Sequence, residues 1–418
     1  MNNTQLPNYS LAYYSGDRKT GSVTIINHQH GKTSTNHLPI DPASQLDKLR
    51  KPVLVGLDEA DQVILFDPAS KQIRIQAGFP ADTFPAHIYP EPNTHRDWFM
   101  NDGDKESGND TVNCGESGSS VTVIENTASR QANFLKTICV GRGHHQAAFA
   151  GPSATMPDVA HRAYISNLTD GTISVIANNP NETESYLTLL DTINLCQPEK
   201  EQNPDQSTPN NAFPHGLVYS PLSGKLYCLN NGYGNIAVIN PANHQIEARI
   251  PFKGHSNLFG SPDGRYLIGR GADRKSDADH VIAKVSVFDT VNNTITDSVE
   301  LQDIYISKYF FNCEGSKLYL TTASSGSPEQ QQNLQADVLL VFDMTALPKI
   351  KLMDQVKLGS APGTLDFLVQ DGKTTLVFSS NSEEGVVAVV DGNSNVLLDK
   401  IQVNNGTNHS RLWTLSRA

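Results

Sequence analysis

The sequence predicts an all-β fold, a single closed β-propeller that occupies residues 1–418. Three observations predict it. A short strand-like pattern recurs along the chain, helical apolar periodicity is nearly absent, and the last segment has the composition of one isolated strand. Repeats of this kind are typical of propellers, in which every unit is a small antiparallel sheet called a blade.

The recurring pattern is a β-branched, alternating apolar run that often ends in Asp or Asn, as strands bounded by turn residues do. It occurs at residues 23–27, 63–67, 121–125, 173–176, 236–240, 285–289, 339–343 and 387–391. The runs start about 40 to 63 residues apart, which fits one blade plus loop insertions. Eight runs predict eight blades. Seven stays open because the unit near residues 41–80 is short.

The clearest unit covers residues 214–252. Turns that contain Ser-Gly and Asn-Gly separate the first three of its four strand-like segments, which lie at residues 217–221, 225–229, 236–240 and 245–250. Short antiparallel strands joined by such turns form one four-stranded blade.

The two ends of the chain predict how the ring closes. Residues 410–415 form one lone strand-like segment, whereas the N-terminal strands near 11–14, 23–27 and 33–38 lack a first partner. Pairing the C-terminal strand with this N-terminal set completes one blade and removes exposed sheet edges. We therefore expect the C-terminal strand to close the N-terminal blade.

The composition excludes some function classes. The formal net charge is −12, and no Lys/Arg cluster is dense enough for a nucleic-acid groove. No apolar run approaches the length of about 18 residues that a membrane span needs. The sequence therefore predicts no nucleic-acid partner and no membrane span, and it leaves the oligomeric state open.

The N-terminus and the cysteines bear on the compartment. The first residues lack the basic and apolar regions of a signal peptide, which indicates a cytoplasmic protein as written, or a periplasmic or secreted one whose signal was removed. The five cysteines are scattered and odd in number. We expect neither a disulfide framework nor a thiolate zinc site from them.

Histidines recur just before the predicted innermost strands of different blades. All inner strands of a propeller start at the same end of the central channel, so these imidazoles are expected to converge there. Imidazole is the commonest metal ligand, and a nitrogen-only cluster suits copper, zinc, iron or nickel. The predicted metal ligands are His87, His144, His145, His215, His255 and His409.

Two further residues complete the predicted site. Asp97 is placed to orient a histidine ligand. Lys308 begins an inner strand, where its charge would favour an anionic substrate. Asp303 and Asp366, near other inner strands, are available as an acid or a base, but no spacing singles them out.

Residues 214–221, with 224–227 and 236–240, resemble the repeat of YVTN-type and cytochrome-d1-haem-domain-like propellers, and His255 with residues 261–266 resembles a second copy. The resemblance implies the propeller fold and says little about chemistry. The layout of the histidines is also similar to that of two groups of copper propellers, the nitrous-oxide reductases and the thiocyanate dehydrogenases, although no full ligand motif matches. It implies a copper-dependent oxidoreductase that acts on a small molecule or anion.

Other functions stay open. YVTN-like propellers also resemble lactonases, and such a metal-free hydrolase could use Arg142, Arg96 and Glu91 in acid–base work. A sensory or protein-interaction propeller without catalysis is a further alternative. Haem ranks last because the sequence has no CxxCH attachment site.

Two polar segments lie between the strands. Residues 101–110 alternate oxygen-bearing side chains, which suggests either a calcium loop or a solvated loop; no Glu closes the pattern at the twelfth position. Residues 197–213 form an insertion that is expected either to cover the channel or to be disordered.

Overall fold

The computed structural model of the chain describes residues 6–16, 21–39, 53–57, 62–67, 72–78, 85–103, 114, 119–126, 132–205, 207–381, 383–403 and 409–415. Within these ranges the regular elements are β-strands, apart from helix α1 (Pro328–Gln331) and one 3-10 turn (Pro198–Lys200). No helix in this part of the chain is long and apolar enough to cross a bilayer.

The strands form antiparallel sheets that follow one another in chain order, here called blades 1 to 8. Blade 1 contains β1 (Tyr9–Gly16), β2 (Gly21–Gln29), β3 (Lys32–Pro39) and the C-terminal β31 (His409–Thr414). Blade 2 contains β4 (Val53–Leu57), β5 (Gln62–Asp67) and β6 (Gln72–Gly78). Blade 3 contains β7 (Pro85–Pro90), β8 (Arg96–Asn101), β9 (Ser120–Asn126) and β10 (Ala132–Cys139).

The middle blades have the same order, with the first strand innermost. Blade 4 contains β11 (His144–Ala150), β12 (Arg162–Asn167), β13 (Thr172–Ala177) and β14 (Leu189–Asn194). Blade 5 contains β15 (Pro214–Ser220), β16 (Lys225–Asn230), β17 (Asn235–Ile239) and β18 (Ile246–Pro251). Blade 6 contains β19 (Asn257–Gly260), β20 (Tyr266–Asp273), β21 (Ile282–Asp289) and β22 (Thr294–Gln302).

The last two blades complete the set. Blade 7 contains β23 (Ile306–Phe311), β24 (Lys317–Thr322), β25 (Val338–Asp343) and β26 (Lys351–Lys357). Blade 8 contains β27 (Leu365–Gln370), β28 (Lys373–Asn381), β29 (Val386–Asp391) and β30 (Leu397–Gln402). The described strands thus make seven four-stranded sheets and one three-stranded sheet, which confirms the predicted all-β propeller and its count of eight units.

The C-terminal strand completes the N-terminal blade, as predicted. β31 pairs antiparallel with β1 along a register that runs from Leu11 opposite Thr414 to Gly16 opposite His409. In blade 1 the innermost strand is therefore the last strand of the chain, and the other three come from its beginning. This pairing leaves neither the inner edge of β1 nor β31 unpaired.

The core lies between the blades. Six apolar clusters join consecutive blades, from the contact of blade 3 with blade 4 to that of blade 8 with blade 1. Between blades 6 and 7, for example, Phe259, Val285 and Ile268 pack with Leu320 and Phe342, all of them buried. Each such side chain contributes about 1.5–3 kcal/mol of hydrophobic stabilisation. Val285 and Phe342 come from the alternating runs that defined the repeat.

The expectation that the cysteines form no disulfide was wrong. Cys114 and Cys139 are bonded, across a sequence separation of 25 residues. The bond ties the segment between β8 and β9 to the end of β10, the outer strand of the same blade. Cys196, Cys228 and Cys313 are free.

The insertion at residues 197–213 is anchored to blades 4 and 5, apart from residue 206, which lies outside the described residues. The Gln197 side chain accepts a hydrogen bond of 2.6 Å from Asn235. Lys200 Nζ donates to the Tyr233 carbonyl at 2.9 Å, and Asn210 Nδ2 donates to the Gly171 carbonyl at 3.1 Å. The suggested calcium loop falls mostly on residues 104–110, which lie outside the described part of the chain.

Candidate functional site: a cationic channel mouth

The central channel opens into a cavity of about 760 Å³ at the end where the inner strands begin. We call it the mouth cavity. Its walls come from blades 3, 5, 6, 7, 8 and 1, so residues far apart in sequence converge there. The polar and aromatic side chains that line it include His87, His215, Arg270, Tyr305, Lys308, Arg411 and Trp413.

A repeated backbone irregularity shapes the mouth. The register of the inner strand shifts near its start in β7, β11, β15 and β23. At the shift in β23 the Lys308 N–H donates to Thr321 Oγ1 at 3.0 Å, and at the shift in β11 the Gln146 N–H donates to Ser166 Oγ at 3.0 Å. A hydroxyl on the second strand thus satisfies the donor that the bulge removes from the ladder. Bulges of this kind redirect side chains and are common beside functional sites.

These two equivalent hydrogen bonds show which residues of the two inner strands occupy corresponding positions. Because Lys308 matches Gln146, His145 occupies the position of Ser307. By the same register, His215 matches His145. Lys308 therefore stands one residue further along its strand than the histidine position with which the sequence pattern equated it.

Three cationic side chains line the mouth cavity. Lys308 lies on β23, Arg270 on the second strand of blade 6, and Arg411 on β31. Arg270 Nη1 donates to the Ile306 carbonyl at 3.0 Å, whereas its buried Nε has no hydrogen-bond partner. Within the described residues none of the three cations pairs with a carboxylate, and no Asp or Glu lines the cavity.

Burial perturbs these groups. Burial, together with the smaller effect of the nearby Arg411 guanidinium, lowers the pKa of Lys308 to about 8. Burial also lowers the pKa of Arg270 and of Arg411. A buried cation without a counter-charge is unfavourable. In a protein of net charge −12, the mouth therefore has the opposite sign to the molecule as a whole and favours an anionic ligand.

Among the three predicted metal ligands whose side chains the structure describes, two line the mouth cavity. His87, at the start of β7, is exposed to it, and His215, in β15, is half-buried. Burial lowers the pKa of His215, and Arg270 lowers it further, against the opposing effect of a backbone hydrogen bond with Ser256. His215 is therefore neutral at pH 7 and able to accept a proton.

His255 lies elsewhere. Its ring stacks on Phe252 with 3.9 Å between centroids, and its Nε2 is 2.8 Å from Ser286 Oγ on the third strand of blade 6. It is not among the residues that line the mouth cavity. Burial lowers its pKa to about 4. These contacts give His255 a packing role where blade 5 connects to blade 6.

The other predicted ligands are placed only by their backbone. His144 and His145 begin β11, and His409 begins β31, so all three stand where inner strands start. Their side chains lie outside the described part of the structure. Among the side chains that are described, no group of three or more His, Cys, Asp or Glu could hold a metal ion. The copper centre therefore stays a prediction.

Asp97 is not brought to the mouth. It pairs with Pro90, the last residue of β7, whereas His87 pairs with Met100. Asp97 thus stands at the far end of blade 3 from His87. Asp303 binds His280, with 2.7 Å between Oδ1 and Nδ1, and Asp366 accepts hydrogen bonds from Thr414; neither lines the cavity.

The arginines considered for lactonase chemistry serve other contacts. Arg96 forms a buried ion pair with Glu91, which also accepts a hydrogen bond of 2.8 Å from Trp98. Arg142 pairs with Asp170 at 2.8 Å. The mouth cavity is lined instead by Arg270 and Arg411, which the sequence reasoning missed. The available signal was an arginine within an otherwise apolar strand.

Comparison with known proteins supports the fold. No protein-family model and no curated protein matches the sequence. Among solved structures, a protein from Lactobacillus plantarum is 15% identical, with a TM-score of 0.54 over 97% of this chain and 100% of its own. A putative 6-phosphogluconolactonase from Bacteroides uniformis is 12% identical, with a TM-score of 0.54 over 97% and 99%. Hydrazine synthase from Kuenenia stuttgartiensis is 13% identical, with a TM-score of 0.51 over 79% and 95%. At these identities the likeness shows the propeller fold alone.

Proposed function

We propose that this propeller is a hydrolase that opens a small anionic lactone in its mouth cavity. The observation that carries the proposal is the set of three cations, Lys308, Arg270 and Arg411, that line one cavity without a carboxylate among its described lining residues. Such a set binds a negatively charged substrate group and stabilises the oxyanion that forms during hydrolysis. The name of the Bacteroides uniformis structure points to a phosphorylated sugar lactone as the first substrate to test.

The chemistry follows from the groups that line the cavity. A neutral imidazole, for which His215 is the candidate, accepts a proton from water as the water oxygen attacks the lactone carbonyl carbon. The cations stabilise the negative oxygen of the tetrahedral intermediate. The carbon–oxygen bond of the ring then breaks, and the imidazolium returns its proton to the leaving alkoxide. The product is a hydroxy acid, ionised at neutral pH.

The test compares a phosphorylated with an unphosphorylated substrate. Proton release from 6-phosphoglucono-δ-lactone and from glucono-δ-lactone is followed in a pH-stat and corrected for spontaneous opening. We expect faster hydrolysis of the phosphorylated lactone, and a loss of at least tenfold in Lys308→Met and His215→Ala. Lys357→Met is the matched control, because Lys357 is exposed on β26, the outer strand of the same blade. Rates equal to the spontaneous rate for every anionic lactone would contradict the proposal.

A copper-dependent oxidoreductase is the second candidate. It is favoured by His87 and His215 on the cavity wall and by the positions of His144, His145 and His409 at the start of inner strands. Copper bound by these imidazoles would supply one-electron redox chemistry. The protein is dialysed against copper, zinc and iron, and bound metal is quantified by mass spectrometry. Stoichiometric copper that is lost in a His145→Ala, His409→Ala double variant would favour this candidate, and no bound metal would contradict it.

A further inference from the structure

Lys308 has the surroundings of a reactive amine. Its backbone is held at the bulge of β23 by Thr321, while its side chain lines the mouth cavity. Within the described residues its Nζ makes no hydrogen bond and no ion pair. The other charged or titratable side chains with which it lines the cavity are His87, His215, Arg270 and Arg411, besides tyrosines. No Asp or Glu is among the described residues that line the cavity, so no carboxylate there stabilises the protonated form of Lys308.

The neighbouring cations act in two ways. Burial favours the neutral form of a lysine, and a positive charge beside it, here the Arg411 guanidinium, does the same to a smaller extent. Together they lower the pKa of Lys308 to about 8. At pH 7.5 this gives on the order of a hundred-fold more neutral amine than an exposed lysine has. The same guanidinium groups would also hold the anionic end of a ligand close to the amine.

We propose that Lys308 forms an imine with small anionic aldehydes and ketones, such as 2-oxo acids, whose negative group is held by Arg270 and Arg411. This inference rests on the anion-binding mouth proposed above but not on lactone hydrolysis. Desolvated lysines next to a second cation are suited to such covalent chemistry.

The step is balanced without an oxidant or a reductant. The lone pair of Nζ attacks the carbonyl carbon, and a proton moves to the carbonyl oxygen to give a carbinolamine. Loss of one water molecule forms the carbon–nitrogen double bond, and hydrolysis reverses the step. An imine withdraws electrons from the adjacent carbon, so a bound oxo acid would exchange the hydrogens on that carbon with water.

The test uses pyridoxal 5′-phosphate, an aldehyde that carries a phosphate. The full chain is incubated with a substoichiometric amount at pH 7.5, imines are reduced with borohydride, and labelled lysines are located by peptide mass spectrometry. We expect Lys308 to be labelled at least tenfold more than exposed lysines such as Lys357. Labelling that follows exposure, with Lys357 at or above Lys308, would overturn the inference.

Two further comparisons distinguish a failure of the imine proposal from a failure of the hydrolase proposal. Pyridoxal, which lacks the phosphate, should label Lys308 at least fivefold less than the phosphorylated aldehyde, and Arg270→Gln should remove that preference. Lys308→Arg keeps the charge but forms no imine, so it should lose the label and retain sulfate binding by calorimetry. Selective labelling without lactone hydrolysis would refute only the hydrolase, whereas hydrolysis with label spread over exposed lysines would refute only the imine.

Discussion

Removing the charge of Lys308 should stabilise the protein while it weakens anion binding. The ordinary lysine pKa of 10.5 and the value of about 8 in the folded chain differ by about 2.5 pH units, and each unit corresponds to about 1.4 kcal/mol. The protonated lysine therefore costs the folded state about 3 kcal/mol at pH 7. Lys308→Met keeps an unbranched apolar side chain of similar length and removes this cost. We expect it to be more stable by up to about 3 kcal/mol at pH 7.

The sign of the pH dependence follows from the direction of the pKa change. The pKa of Lys308 is lower in the folded than in the unfolded chain, so the folded state binds fewer protons. The cost is fully present below the folded pKa of about 8, is relieved as the pH rises toward 10.5, and is absent above it. The stability difference between the variant and the wild type should therefore shrink between pH 7 and pH 10.

Urea denaturation at these two pH values measures the effect. Lys357→Met, on the outer strand of the same blade, is the control for replacing a lysine by methionine and should change stability by less than about 0.5 kcal/mol. A Lys308→Met protein that is less stable than the wild type at pH 7 would refute the reasoning, as would a difference that does not change with pH. A difference that does not change with pH would mean that the pKa of Lys308 is not lowered in the native protein.

Three further predictions concern the mouth and the closure of the ring. Sulfate affinity of the wild type should fall about tenfold from pH 7 to pH 9, because Lys308 loses its proton with a pKa of about 8; calorimetry should give a smaller change in Lys308→Met. Asp366→Ala should lower stability by about 2 kcal/mol, since Asp366 accepts hydrogen bonds from the Thr414 backbone and hydroxyl; thermal denaturation should show a smaller loss for Asp366→Asn. Cys139→Ser should cost about 3 kcal/mol by opening the loop to Cys114, and a reductant should bring the wild type to the same midpoint.

The fold could be predicted because its determinants are local. Each blade repeats an alternating run with turns on either side, and alternation decides which side chains are buried between blades. The unpaired strand-like segment at the C-terminus could be matched with an N-terminal set that lacked a first strand. That set needed one more strand to make a blade of four. Both inferences need only the order of strands along the chain, and the pairing of β31 with β1 agrees with them.

The disulfide could not be predicted in this way. Whether two cysteines meet depends on where two connections end in space, and no spacing motif marks Cys114 and Cys139. One lies between β8 and β9, and the other ends β10. Both positions are at the same end of blade 3, because alternate strands of an antiparallel sheet run in opposite directions. Only the strand bounds reveal this.

The position of the site could be predicted from the sequence, but the side chains that line it could not. His87 and His215 do stand at the mouth, since inner strands share one starting end, whereas His255 folds back onto Phe252 between blades 5 and 6. Arg270 was missed because it belongs to the second strand of its blade and not to an inner strand. Its guanidinium lies at the mouth, where it donates a hydrogen bond to the Ile306 carbonyl of the next blade. Position relative to the axis follows from strand order, but the direction of a side chain depends on the bulge and on the neighbouring blade.

The charge of the mouth separates the two functional candidates by a further argument. A cupric ion held by His87 and His215 would share the cavity with Lys308, Arg270 and Arg411, and like charges in a poorly solvated site repel strongly. An anion bound beside the metal would screen that repulsion. Copper affinity should therefore rise when a small anion such as sulfate is present and fall in its absence. For the hydrolase, by contrast, sulfate occupies the position of the substrate's anionic group and acts as a competitive inhibitor. Sulfate should thus promote copper binding and inhibit lactone hydrolysis.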